Sequence, residues 1–309
     1  MAELSGKVEN SLDEARILVL GTQVLLGFQY RAFMEPGFAR LPAHTRNIEL
    51  AGLALLLASL AFLLAPVAQH RIVERGWDSD RLLGFTMNSL CCALLPFAAG
   101  LSLDLFAAGE HVVGHGFGIG AAVAAAACMA VLWYAVPLLR QRRDPRQGQE
   151  DRMSKPKLEH RIVEVLTEAR VVLPGAQALL GFQLAMVLMD AFDKLSPAAR
   201  AVHFASLCCI ALATALLMAP PAFHRLAEKG EDTDRLERFS SAMVLSALVA
   251  LAAGLSLEVA VITEKWNGSL PLGLILAAAC FAALMAGWFG VSLLLRERAP
   301  AGRGVRAEA

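Results

Sequence analysis

Apolar residues fill eight runs of the chain, near 17–33, 48–68, 82–107 and 117–139 in the first half and 171–189, 202–222, 239–262 and 270–295 in the second. Each is close to the roughly 20 residues that a helix needs to cross a bilayer. Charged residues collect between the runs. The pattern predicts an all-α integral membrane protein of eight transmembrane helices, arranged as two four-helix repeats of parallel topology. The halves are copies of one another. EARILVLGTQVLLGFQ, from Glu14 to Gln29, returns 154 residues later as EARVVLPGAQALLGFQ, from Glu168 to Gln183. The same offset carries Arg16 to Arg170, Gln23 to Gln177 and Gly27 to Gly181, so the chain reads as a tandem duplication. Its units are 1–139 and 162–309, joined by a charged cytoplasmic linker over 140–161 (RQRRDPRQGQEDRMSKPKLEHR) that passes into a helix before Glu168.

Composition agrees: 57% of residues are hydrophobic and 18% charged, with a mean hydropathy of +0.54. With the N-terminus inside, the outer side holds only Arg31, Arg40, Arg46, Lys194, Arg200 and Lys265, six of the 28 basic residues. That bias predicts both termini in the cytoplasm, and the loops around Gly37 and Gly268 outside. An even number of spans per repeat makes the repeats parallel, related by a pseudo-two-fold along the membrane normal. The polar, acidic N-terminus is no cleavable signal. The six cysteines all fall in apolar runs and read as small buried hydrophobes.

The EAR…GF-Gln series, the Ala-Pro turn with His-Arg closing the second span and the short charged turn after it resemble an uncharacterised bacterial four-helix integral membrane family, catalogued only as a domain of unknown function. The resemblance implies a plasma (inner) membrane protein, here as two fused copies, and supplies no activity.

Polar residues inside the runs need partners, because an unpaired amide in hydrocarbon costs several kcal/mol. Arg16, Gln23 and Gly27 fall on one helical stripe, as do Arg170, Gln177 and Gly181 in the copy. Two readings stand: interhelical hydrogen bonding with glycine packing notches, or two stripes facing each other to line a polar path. Gln29 and Gln183 lie on another face. Glu14 fits a capping box with Ser11, which its copy Glu168 cannot repeat; a surface pair with Arg16 and Arg170 or a cytoplasmic ion-pair cluster fits both. His70-Arg71 and His224-Arg225 close the second spans, where the histidines either satisfy helix-end carbonyls or respond to pH. Asp78 and Asp232 are placed to cap the third spans. Asp104 and Glu258, near the outer ends of those spans, read as interfacial carboxylates or as a cation-attracting outer mouth. His111 and His115 give only a weak metal signal.

The first spans, the most polar, should be central, with bulk at Gly27 or Gly181 destabilising. The fourth spans should be peripheral, with Trp133, Tyr134 and Trp288 at the interface. No nucleotide loop, dinucleotide fingerprint, nucleophile elbow or zinc-protease helix occurs, so neither enzyme chemistry nor a cofactor is expected. With zero formal net charge and no basic aromatic patch, nucleic acid is not expected either; the partners are the lipid bilayer and a homo-oligomer or an unidentified membrane protein. The sequence favours a structural, sensing or interaction protein, with a small-solute or ion transporter or channel as the alternative.

Overall fold

The computed structural model of the chain describes residues 2–74, 77, 79–143, 155–228 and 233–290. Among them the secondary structure is helical: α1 (Ala2–Ala32), α2 (Pro36–Arg40), α3 (Ala43–Ile72), α4 (Asp80–Val112), α5 (His115–Ala130), α6 (Val136–Arg143), α7 (Lys155–Met186), α8 (Asp190–Asp193), α9 (Pro197–Leu226), α10 (Asp234–Asn267) and α11 (Leu270–Met285). A π-helical turn, Val131–Ala135, joins α5 to α6, and a second, Ala286–Gly290, follows α11. The duplication is visible in the element bounds: α3 and α9 begin and end 154 residues apart, and the π turns begin at equivalent places within one residue. The expected linker is helical at both ends, with α6 running to Arg143 and α7 beginning at Lys155.

Seven helices among the described residues are long and apolar enough to cross a membrane. The exception is α1, whose apolar run is interrupted by Gln23, Gln29 and Arg31. It nonetheless packs along α7: Gly21 meets Gln177, Leu25 and Phe28 meet Gly181, and the Phe28 and Phe182 rings stand edge to face at 5.8 Å.

The helix ends are capped by hydroxyls. Ser79 accepts from the Leu82 N–H at 3.0 Å and Thr233 from the Leu236 N–H at 3.1 Å, so the caps are Ser79 and Thr233, one residue beyond the expected Asp78 and Asp232, which lie outside the described residues. Asp80 and Asp234 then occupy first turns, where negative charge suits the helix dipole. Ser11 cannot cap α1, because the helix begins at Ala2 and runs through it.

The centre of the molecule is not where polarity alone put it. The most enclosed spans are α9, 67% buried, and α4, 61%, against 44% for the α7 span. The fourth spans are peripheral as expected, at 17% and 11%. Yet Trp133 is fully buried and no interfacial anchor: its indole N–H donates to the Ala215 carbonyl at 2.8 Å, fastening the first repeat's fourth helix onto α9 of the second. Tyr134 is half-buried against the Cys91 carbonyl. At the end of the bundle where α6 and α10 meet, the Arg140 guanidinium lies over Phe223 and Phe239, and Arg235 donates to the Arg140 carbonyl at 2.8 Å. All six cysteines are free thiols, and Cys92 and Cys208 face outward. An apolar groove of about 550 Å³ opens between α5 and α9, lined in part by Phe117, Ala121, Ala125, Phe204 and Cys208.

Candidate functional site

Near one end of the spans each repeat encloses a polar cluster assembled from its first, second and third long helices. In the first repeat Gln29 of α1 donates through Nε2 to Asp104 Oδ1 at 2.7 Å. Glu49 of α3 lines the same cavity and feels the Asp104 charge. In the second repeat Gln183 of α7 donates to Glu258 Oε1 of α10 at 3.0 Å and to Ser206 Oγ at 2.7 Å. His203 of α9 sits between them, its Nδ1 2.8 Å from Glu258 Oε1 and its Nε2 3.2 Å from the Gln183 carbonyl. The 154-residue offset relates Gln29 to Gln183, Glu49 to His203 and Asp104 to Glu258. These are one site, built twice.

The copies differ in charge and in filling. The second sets an imidazole against its carboxylate, with His203 held between Glu258 and the Gln183 carbonyl. The first has a carboxylate where the second has an imidazole. It also has Gly52 where the second has Ser206, whose hydroxyl goes on to donate to the Gly254 carbonyl at 2.8 Å. Asp104 is 1% exposed, and its Oδ2, like Gln29 Oε1, has no hydrogen-bond partner among the described residues. The cavity they share with Glu49 is closed on the far side by Gly181, Leu184, Ala185 and Leu188 of α7 and the turn after it, and its volume is about 10 Å³. That is room for one water-sized species.

Beyond the cavity, segments of both repeats are tied together. The Gly37 N–H of α2 donates to the Leu188 carbonyl at 3.0 Å. Arg40 binds Asp190 and reaches Asp193 at 3.2 Å, and His111 lies 3.3 Å from Asp193.

A family model matches residues 3–137 and, a second time, 151–292. The chain belongs to the DUF6328 family. The family is described only as one of unknown function and is present here in two copies. No curated protein and no solved structure matches the chain.

Within this DUF6328 chain the stripes read from sequence separate. Arg16, Gln23 and Gly27 do share one face of α1, but it points outward: Gln23 is exposed, Gly27 has nothing within 4 Å of a would-be Cβ, and Arg16 pairs with Asp13 at 2.5 Å. On α7 the equivalent face points inward, with Gln177 and Gly181 buried and Arg170 half-buried. The two stripes do not face each other and line no path, because α7 meets a different face of α1, that of Gly21, Leu25 and Phe28. A Cβ on Gly21 would collide with Gln177 Oε1. The Gln177 amide has no hydrogen-bond partner among the described residues.

Asp104 and Glu258 are not surface groups at an outer mouth: Asp104 is buried, and both belong to the paired clusters. His70 and Arg71 stand in the last turn of α3, His224 and Arg225 in that of α9; Arg225 is buried where Arg71 is exposed. Glu168 is exposed, and the Glu14 side chain lies outside the described residues. Sequence reading missed Glu49 and His203, each within the first two turns of its repeat's second span. The repeat offset, applied to every polar residue, would have paired them.

Proposed function

We propose that this membrane protein binds and passes a proton or a small monovalent cation at the Gln29–Glu49–Asp104 cluster, as an ion transporter or channel of eight spans with both termini on the cytoplasmic side of the bacterial inner membrane. The observation that carries the reading is a carboxylate, Glu49, standing where the other repeat has an imidazole. Duplication supplies an internal reference, and where the second repeat holds His203 against Glu258, the first sets Glu49 near Asp104 around a cavity of one-water size. Two carboxylates in a low-dielectric setting repel, and intramembrane charge is costly; a proton or a bare cation between them answers both. The size of the cavity speaks against any larger solute. The parallel arrangement is supported by the contacts of α1 with α7, which advance together from Gly21 and Gln177 to Phe28 and Phe182. The contact of Gly37 with Leu188 supports reading the cavity as closed at that end.

A scaffolding, sensing or interaction role, alone or as a homo-oligomer, is the second reading. It is favoured by Gln177 and Gly181, which serve as packing between the repeats and not as a path.

The test is the full chain reconstituted into liposomes, with an internal pH dye reading protons under a clamped potential and radioactive sodium reading a metal cation. Wild type is expected to carry one of the two. Asp104→Asn and Glu49→His, the latter importing the second repeat's imidazole, should each lower that flux at least tenfold, while Gln23→Leu on the outward face leaves it unchanged. Absence of both fluxes in wild type overturns transport and leaves the scaffold reading.

A further inference from the structure

We propose a second site, separate from the buried cluster: a zinc(II) site at the outer corner where α3, α4 and α5 meet, with His44, Glu110 and His115 as ligands. Three helices deliver one donor each. His44 is the second residue of α3, Glu110 stands in the last turns of α4, and His115 is the first residue of α5. The α4–α5 turn is sharp enough to bring His115 back over Glu110 because Gly114 takes a φ of +134°, a left-handed backbone that other residues resist.

His44 Nε2 lies 2.9 Å and His115 Nδ1 2.6 Å from the same oxygen, Glu110 Oε1. One donor atom from each of the three residues can be chosen so that all lie within 4.8 Å of one another. Two imidazole nitrogens and a carboxylate oxygen converging on one point are a zinc-type donor set, and they leave a coordination position to water. The outer parts of the site support the ligands. Thr45 Oγ donates to Glu110 Oε2 at 2.5 Å, fixing the carboxylate. The His44 and His115 rings stand edge to face at 5.5 Å, and the Phe106 ring stands edge to face with His115 at the same distance. Glu110 is mostly enclosed, at 10% exposure, whereas His44 and His115 are half open to the outer solution, at 52% and 60%. An ion could enter without any rearrangement of the fold.

The second repeat shows that the fold does not need these histidines. The equivalent positions are Ala198, Glu264 and Ser269. Glu264 still ties its loop, accepting from the Ser196 N–H at 3.3 Å, and Ser269 caps α11 through the Leu272 N–H. The glutamate is thus the structural element of this corner, and the first repeat has placed two imidazoles around it. The remaining outer histidine, His111, turns to Asp193 and serves as an internal control. Bound metal would fasten the outer ends of α3 and α4, the two helices that carry Glu49 and Asp104 each about one and a half turns deeper.

The experiment uses untagged full-length protein in detergent, stripped with chelator and titrated with zinc(II) by calorimetry, and with cobalt(II) for its visible absorption. One equivalent per chain is expected, with a nitrogen–oxygen cobalt spectrum and a rise in Tm on zinc addition. His44→Ala and His115→Ala should each weaken binding at least tenfold, and the double variant should lose both the spectrum and the Tm rise while keeping the metal-free Tm. His111→Ala should bind as wild type. The proposal is overturned if wild type takes up no stoichiometric metal, or if the double variant still does. Glu49→His should retain metal binding, so failure here and failure of ion transport are read separately.

Discussion

At the residue scale, equivalent positions in the two repeats have separate fates, and single substitutions expose the difference. Gly27 and Gly181 are related by the duplication, yet Gly27 faces open surroundings while a Cβ at Gly181 would already press on Phe28 at 2.9 Å. Gly181→Leu should therefore destabilise the protein by about 1–3 kcal/mol, the usual cost of overpacking, and Gly27→Leu should be silent; thermal unfolding in detergent measures both. The sequence suggests bulky-residue sensitivity at both glycines; the structure leaves room at Gly27 and none at Gly181. Gln177 offers the complementary test. Its amide is fully buried without a hydrogen-bond partner among the described residues, and an orphaned buried polar group costs about 1–3 kcal/mol. Gln177→Leu, close in volume, should leave Tm unchanged or raise it, whereas a fall would reveal a bound water or ion at that amide.

At the element scale, the fourth helix of the first repeat is both peripheral and anchored. Its α5 portion borders the groove against α9, and its π turn drives Trp133 into the second repeat. Trp133→Ala should open a cavity and orphan the Ala215 carbonyl, costing about 3–5 kcal/mol, while Ala125→Leu has the groove to grow into and should be nearly silent. Comparing the two variants by urea or thermal unfolding separates anchoring from mere lipid contact. The sequence could not have told Trp133 from an interfacial tryptophan, because its equivalent in the second repeat is Gly287. Periodicity fixes which residues share a face, and not which neighbour that face meets.

At the scale of the whole molecule, the contacts between repeats run from the latch of Gly37 with Leu188 at one end, through α1 with α7 and Trp133 with α9, to the stacking of Arg140 on Phe223 and Phe239 at the other. Two chains ending at 143 and beginning at 155 should therefore co-purify when expressed together, and Trp133→Ala should weaken that association. Topology is tested by cysteine labelling at Met34 and Trp266, both 85% exposed, in preference to the buried Gly37. Both should react from the outer side, and reaction of one from inside would break the parallel arrangement. The helical membrane class, the duplication, the peripheral fourth spans and the family resemblance were all legible in the sequence, since apolar run length and a fixed offset are local properties of the chain. The rest depended on how helices rotate against one another. A duplicated stripe predicts a symmetric contact, but α7 turns its Gln177 face toward α1 while α1 turns its own Gln23 face away, so one amide is enclosed and the other is not. Likewise Glu49 and Asp104, 55 residues apart, become one site only because α3 and α4 pack side by side, and His44, Glu110 and His115 converge only because three helix ends meet at one corner.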